Sequence, residues 1–439
     1  RVRPRDAASA ATMIDAASTA RGVLLLALVA GARAAGAQDS RPSALESAVE
    51  AYFDAKDDAD AERRLEALLA DPAATAENLL AAVQAARGDV AGEVEDLVPF
   101  AGGFLGARYA APKDHRRDGP RLPVVFDVNG GQVYEHFRRA GGFVAAFVPG
   151  YTPTQFSDEG RDAFLKVLLR AAHRMHGDPD RLWMTGFSWG GHASFDEVIH
   201  RPHWLRGVLA FGGGPRRTWF RAFSVLRGVE VRMFCGASDD AELIWNLKET
   251  ATLATTFGYR AELVLDADRG HVFPLKGSER APEIVASTPA RAAEALEQAL
   301  SAPLVADAAR VESPWLRIDA VKEERVAVPA RVPVDGAASP DAQRRRTLKA
   351  YEKAVVRLTP KLERRPAGTT LTLTADGVTA AVVNLRAPWF VPGVRTTVRA
   401  KGVALYDAPL AVDRAALLRD ARRTGERLRP TLRAVSATF

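Results

Sequence analysis

The chain has a single cysteine, Cys235, in 439 residues. No disulfide can close within it, and no cysteine-based zinc site can be assembled. It contains no internal repeat and no low-complexity tract. The apolar run GVLLLALVAGA (22–32) is shorter than the roughly 20 residues a spanning helix needs, and no second run of spanning length follows it. Neither sign of charge dominates, with 60 Lys and Arg against 54 Asp and Glu, and 47% of residues are apolar. Disorder, collagen and coiled coil are therefore excluded as whole-chain states.

The sequence opens with the pattern of a leader. Translation is expected to start at Met13, followed by a short region ending at Arg21, the apolar run, and Ala35-Gly36-Ala37 as a cleavage pattern. Residues 1–37 are thus expected to be a signal peptide. The mature chain is expected in the secreted or periplasmic compartment, with no stable membrane insertion.

Charge is unevenly spread. Residues 303–439 carry 25 basic and 14 acidic groups, a net of +11, whereas residues 38–302 are net −8. Such a step predicts a domain boundary near residue 302. The basic end reads as a solvated arginine-rich surface, with contact to an anionic surface as the functional alternative. Arg344-Arg345-Arg346 and Arg422-Arg423 lack interleaved aromatics, so no nucleic acid partner is expected.

Helical spacing of apolar residues runs through 41–97, broken at Pro72, and predicts a helical segment over 38–99. It reads as a preface to the next domain, with a lid as the alternative. From residue 100 buried strands alternate with helices. Strands are expected at 106–112, 122–128, 143–149, 181–187, 205–212, 229–236 and 261–267. Helices are expected at 161–175, 192–200, 242–258 and within 282–300. That alternation predicts an α/β domain over 100–302, with a mostly parallel sheet covered on both faces. Residues 303–439 read as a small α+β domain. It would hold a helix at 339–358, a hairpin turning at Asp376-Gly377, a strand at 396–406 and a closing helix near 412–428.

The strongest chemical signal is Gly186-Phe187-Ser188-Trp189-Gly190-Gly191. It fits G-x-S-x-G between an expected strand and helix, where a sharp turn lifts the serine hydroxyl clear of the sheet. A serine needs a base and an orienting acid, because its hydroxyl is a weak nucleophile at neutral pH. In this architecture they follow in the order Ser, Asp or Glu, His. Asp239 is the expected acid, with Asp240 as its rival, in the loop after strand 229–236. His271 is the expected base, because it alone among eight histidines follows the acid at a strand end. An oxyanion hole needs two backbone N–H donors. Trp189 is expected to supply one and Gly131 the other, with Gln132 in reserve.

DPDRLWMTGFSWGG (178–191) resembles the elbow region of secreted α/β-hydrolase esterases. The feruloyl esterase, polyhydroxyalkanoate depolymerase and phospholipase/carboxylesterase-like groups are the nearest in kind. RYAAPKDHRRDGPRLPVVFDVNGG (108–131) resembles their entry strand and oxyanion loop, and HRPHWLRGVLAFGGG (200–214) the strand after the elbow helix. The resemblance spans 100–300 and implies an α/β-hydrolase fold, hydrolysis of a small or polymeric ester, and no cofactor. Asn129 stands where many such enzymes have histidine, and Trp189 is bulkier than the usual residue there. A prolyl-oligopeptidase-like peptidase and a non-catalytic envelope-binding protein are the competing expectations.

Other residues read more blandly. His192, His200 and His203 lack the carboxylates of a metal site, so no metal is expected. Cys235 reads as an inert core thiol. Asp54, Asp57, Asp58 and Asp60 read as a solvated helix face. Trp219 and Trp245 are expected either in the core or on a cleft wall.

Overall fold

A computed structural model of the chain describes residues 43–85, 90–100, 103–128, 131–149, 156–291, 302–306, 310–326 and 339–439. The expected leader, Asn129 and Gly130, and the 292–300 part of the last expected helix lie outside them.

The chain begins with α1 (Ala44–Phe53), α2 (Asp58–Ala70) and α3 (Ala76–Gln84). Each starts at a side chain that accepts a first-turn N–H: Ser43, Asp57 and Thr75. Ser43 and Glu46 complete a capping box. The apolar stripes of these helices share a core with Leu417, Leu418 and Ala421, more than 300 residues further along. They cover the far end of the chain, and the lid alternative finds no support in that core.

Strand β1 (Gly92–Phe100) pairs antiparallel with β2 (Gly103–Ala111). Residues 92–97 were expected to be helical; this is a correction. Glu93, Glu95 and Leu97 face solvent while Asp96 and Val98 face inward. Such a half-buried edge strand mixes polar and apolar residues in a way that a helical template also fits.

The sheet continues with β3 (Leu122–Val128), β4 (Val144–Val148), β5 (Gly177–Phe187), β6 (Gly207–Phe211), β7 (Glu230–Gly236) and β8 (Arg260–Asp266). Its order is β1-β2-β4-β3-β5-β6-β7-β8, and the six strands from β4 to β8 are parallel. Between them lie α4 (Gln132–Ala140), α5 (Asp158–Arg174), α6 (Trp189–His200), α7 (Ala241–Phe257) and α8 (Ala281–Ser287). Alternate strand residues feed two separate cores. Phe126 and Met184 pack on one face with Phe164 of α5 and Phe195 of α6. Val125, Trp183 and Leu209 pack on the other with Phe137 of α4 and Val285 of α8. This mixed sheet with helices on both faces is the α/β-hydrolase fold.

The C-terminal region is richer in strands than expected. A three-stranded sheet runs β10 (Leu316–Val321), β13 (Val378–Arg386), β16 (Thr431–Thr438). A five-stranded sheet joins β15 (Val403–Pro409), β14 (Arg395–Ala400), β12 (Gly368–Asp376), β11 (Val356–Arg365) and β9 (Leu304–Ala306). One core lies between them. The hairpin expected at Asp376-Gly377 is a crossing instead. β12 and β13 belong to different sheets, and the true hairpin joins β11 to β12. The single strand expected at 396–406 is a hairpin, β14 and β15, turning at Lys401 and Gly402, both with positive φ. Two longer helices, α9 (Pro340–Lys353) and α10 (Arg414–Thr424), and one turn of helix at Glu323–Val326 complete the described part of the region.

The charge step has a structural counterpart. Arg310, Arg344, Arg419, Arg422, Arg427 and Arg429 pair with Asp162, Glu249, Glu62, Asp58, Glu50 and Asp180 respectively. The basic segment thus docks on acidic groups of residues 38–302.

Candidate active site

The site is built where β5 turns into α6. Ser188 immediately precedes α6 with φ 56° and ψ −118°, a strained conformation for a residue with a side chain. The turn is tight because Gly186 has no side chain. A Cβ there would lie 2.6 Å from the Gly190 carbonyl carbon and 2.7 Å from the Val128 carbonyl oxygen. The same glycine thus lets the end of β3 approach the elbow.

Three loops at the C-terminal ends of parallel strands converge on the hydroxyl. His271 follows β8, and its Nε2 lies 2.8 Å from Ser188 Oγ. Asp239 follows β7, and its carboxylate lies 2.9 and 3.1 Å from His271 Nδ1. Gly236 permits this arrangement, since a Cβ there would stand 2.2 Å from the Gly270 carbonyl oxygen. The Asp239 side chain is 4% exposed and that of His271 45%. A buried carboxylate and an open imidazole are the exposures a proton relay facing substrate needs.

Asp240 points elsewhere. Its carboxylate accepts the Leu243 N–H at 2.9 Å and caps α7, while its own N–H donates to Asp239 Oδ1 at 2.7 Å. The structure therefore brings Asp239, and not its neighbour, to His271.

The two expected oxyanion donors open helices on adjacent strands. Trp189 is the first residue of α6, where N–H groups have no intrahelical acceptor. Gly131 precedes α4 with φ 68°, and Gln132 is its first residue. Asp127, at the end of β3, fixes α4 by accepting the N–H groups of Val133 and Tyr134 at 3.1 and 2.9 Å. Burial raises the Asp127 carboxyl to about 7, against those two hydrogen bonds.

Further side chains surround these residues. Phe187 packs on His271 with ring centroids 5.0 Å apart. The Cys235 thiol is buried, as a core thiol should be, yet its Sγ lies 3.6 Å from Asp239 Oδ2. Burial and that carboxylate push the thiol up to about 12, so it stays protonated and donates. Trp189 is 48% exposed, and Trp245 is exposed as well, while Trp219 is buried. His200 bonds the Asp196 carbonyl at 2.8 Å and His203 is buried; among the described residues no group of three metal-ligating side chains forms.

No family model matches this chain, and no curated protein sequence matches it. Solved structures do show similarity. Dipeptidyl peptidase 4 of Porphyromonas gingivalis is 15% identical with a TM-score of 0.37, over 45% of this chain and 35% of that one. A putative dienelactone hydrolase of Klebsiella pneumoniae is 21% identical with a TM-score of 0.33, over 47% and 94%. Esterase 2 of Thermogutta terrifontis, with propionate bound, is 18% identical with a TM-score of 0.33, over 45% and 91%. The fold assignment itself rests on the strand order and the paired cores.

Proposed function

We propose that this chain is an exported serine hydrolase that cleaves carboxylic esters through an acyl-enzyme. One observation carries the reading: a continuous hydrogen-bonded chain from Ser188 through His271 to Asp239 at a strained elbow. In the proposed cycle His271 Nε2 takes the Ser188 proton as Oγ attacks the ester carbonyl. The oxyanion accepts the N–H groups of Trp189 and Gly131. Collapse expels the alcohol, which receives its proton from His271. Water then enters and attacks the acyl carbon as His271 takes its proton; the bond to Ser188 Oγ breaks, His271 returns that proton to Oγ, and the acid leaves. Asp239 holds the imidazole tautomer and stabilises its cation.

The substrate is a small or polymeric ester. Export rests on the leader pattern alone, and an anionic surface remains the proposed partner of the basic C-terminal region. A fluorophosphonate probe should label wild type and leave Ser188→Ala unlabelled. p-Nitrophenyl esters should be hydrolysed, with aminoacyl amides turned over far more slowly. Labelling of the alanine variant, or faster cleavage of the amides, sinks the esterase reading. N-terminal sequencing of the exported protein checks cleavage after Ala37.

A further inference from the structure

Arg216 has no part in the cycle above, yet ring contacts connect it to the residue after the nucleophile. Its guanidinium carbon lies 4.3 Å from the centre of the Phe156 ring and 5.5 Å from that of Trp219. Phe156 packs on Trp189 with centroids 5.6 Å apart, and Trp189 follows the nucleophile. A short path of contacts therefore leads from Ser188 to the guanidinium. Its base is the buried Trp219, and its rim is the exposed Trp189 and Arg216.

The charge of Arg216 is felt at the site. His192 lies one helical turn after Ser188; its Nδ1 contacts the Gly214 carbonyl and its ring meets Trp189 at 5.9 Å. Burial lowers the His192 pKa and the Gly214 contact opposes this, while the positive charge of Arg216 lowers it further.

Among the described residues no carboxylate pairs with Arg216, although paired arginines abound nearby. Arg161, for example, holds both Asp158 and Asp196. Stacking uses the face of a guanidinium and leaves its in-plane N–H donors unused, in a fork that matches a carboxylate. The Trp189 ring begins the path beside the nucleophile, so an acyl chain laid along Trp189 and Phe156 runs toward the guanidinium.

We propose that Arg216 is a specificity-determining residue that recognises a carboxylate at the far end of the acyl group, whose apolar stem lies on Trp189 and Phe156. This inference rests on the esterase reading. It singles out hemiesters of dicarboxylic acids as the substrate class.

The test compares kcat/KM for p-nitrophenyl hydrogen glutarate and p-nitrophenyl valerate, which match in acyl length and differ in charge. Wild type should favour the glutarate by about tenfold, the scale of one exposed charge-assisted contact. Arg216→Gln should bring the ratio to about one, Arg216→Lys should keep part of it, and Arg216→Glu should favour the valerate. The wild-type preference should shrink as salt rises. No glutarate preference in wild type, or a preference that survives Arg216→Gln, overturns the inference while leaving the esterase reading intact. If neither ester turns over, the esterase reading fails. Rates of Ser188 labelling by a carboxylate-bearing and a neutral fluorophosphonate then decide the role of Arg216, since they need no turnover.

Discussion

Asp239 and Asp240 are chemically alike and adjacent, yet their surroundings give them separate tasks. Asp239→Asn should leave the fold intact and lower kcat by about 10⁴, because an amide cannot hold the reactive imidazole tautomer. Asp240→Ala should cost about 1 kcal/mol of stability through the lost cap and leave kcat near wild type. Steady-state kinetics and urea melts on both variants check the assignment; a reversed pattern would make Asp240 the acid. Ser188 and His271 were legible because a local turn motif and the order along the chain identify them. The choice between the two aspartates was not, because it depends on which way each carboxylate points after a strand end. Phe156 and Arg216 were invisible for the same reason: only folding brings them beside Trp189.

At the level of elements, the elbow and the start of α4 are coupled through the end of β3. Gly186→Ala would drive a Cβ into Gly190 and the Val128 carbonyl, both main chain and unable to yield cheaply. We expect a loss of about 1–3 kcal/mol in stability and a disproportionate loss of kcat. Thermal melting with active-site titration checks this, and wild-type kcat in the variant refutes the packing argument. Asp127 adds a pH dependence. Burial raises its carboxyl from an ordinary 3.8 to about 7, so between those values the folded chain holds a proton that the unfolded chain has released. Its contribution to stability therefore falls as pH rises from about 4 to about 7. Asp127→Asn should gain on wild type over that window, as read by urea melts at each pH; a constant difference would mean that the carboxyl does not titrate there. The parallel strands β3 to β8 were legible as continuous apolar runs. β1 and the partners of β12 and β13 were not, because alternation specifies a face and never names the neighbouring strand.

For the whole molecule, the step in net charge predicts a boundary but does not say what the arginines face. The basic region turns several of its arginines toward acidic groups of the preceding chain, and Glu312, itself in the basic region, touches that chain through its main chain. It is fully buried, its N–H donates to the His200 carbonyl at the end of α6 at 2.9 Å, and its carboxylate receives Arg423 of α10 at 2.5 and 2.8 Å. Burial alone would raise the Glu312 carboxyl, but the charge and hydrogen bonds of Arg423 override it and hold it at about 2. The folded-state pKa lies below the ordinary 4.5, so the stabilisation is full above about 4.5 and is lost as pH falls through about 2. Arg423→Met would leave that carboxylate buried without its partner, at a cost of about 3–5 kcal/mol near neutral pH. The deficit should shrink on acidification, because the stranded Glu312 can take up a proton and shed its charge. Adding Glu312→Gln to Arg423→Met should recover much of the loss at pH 7 and little at pH 3. Urea melts of the two variants at both pH values measure this directly. A deficit for Arg423→Met that is the same at both pH values would mean that packing of α10, and not the buried charge, sets the contribution of Arg423.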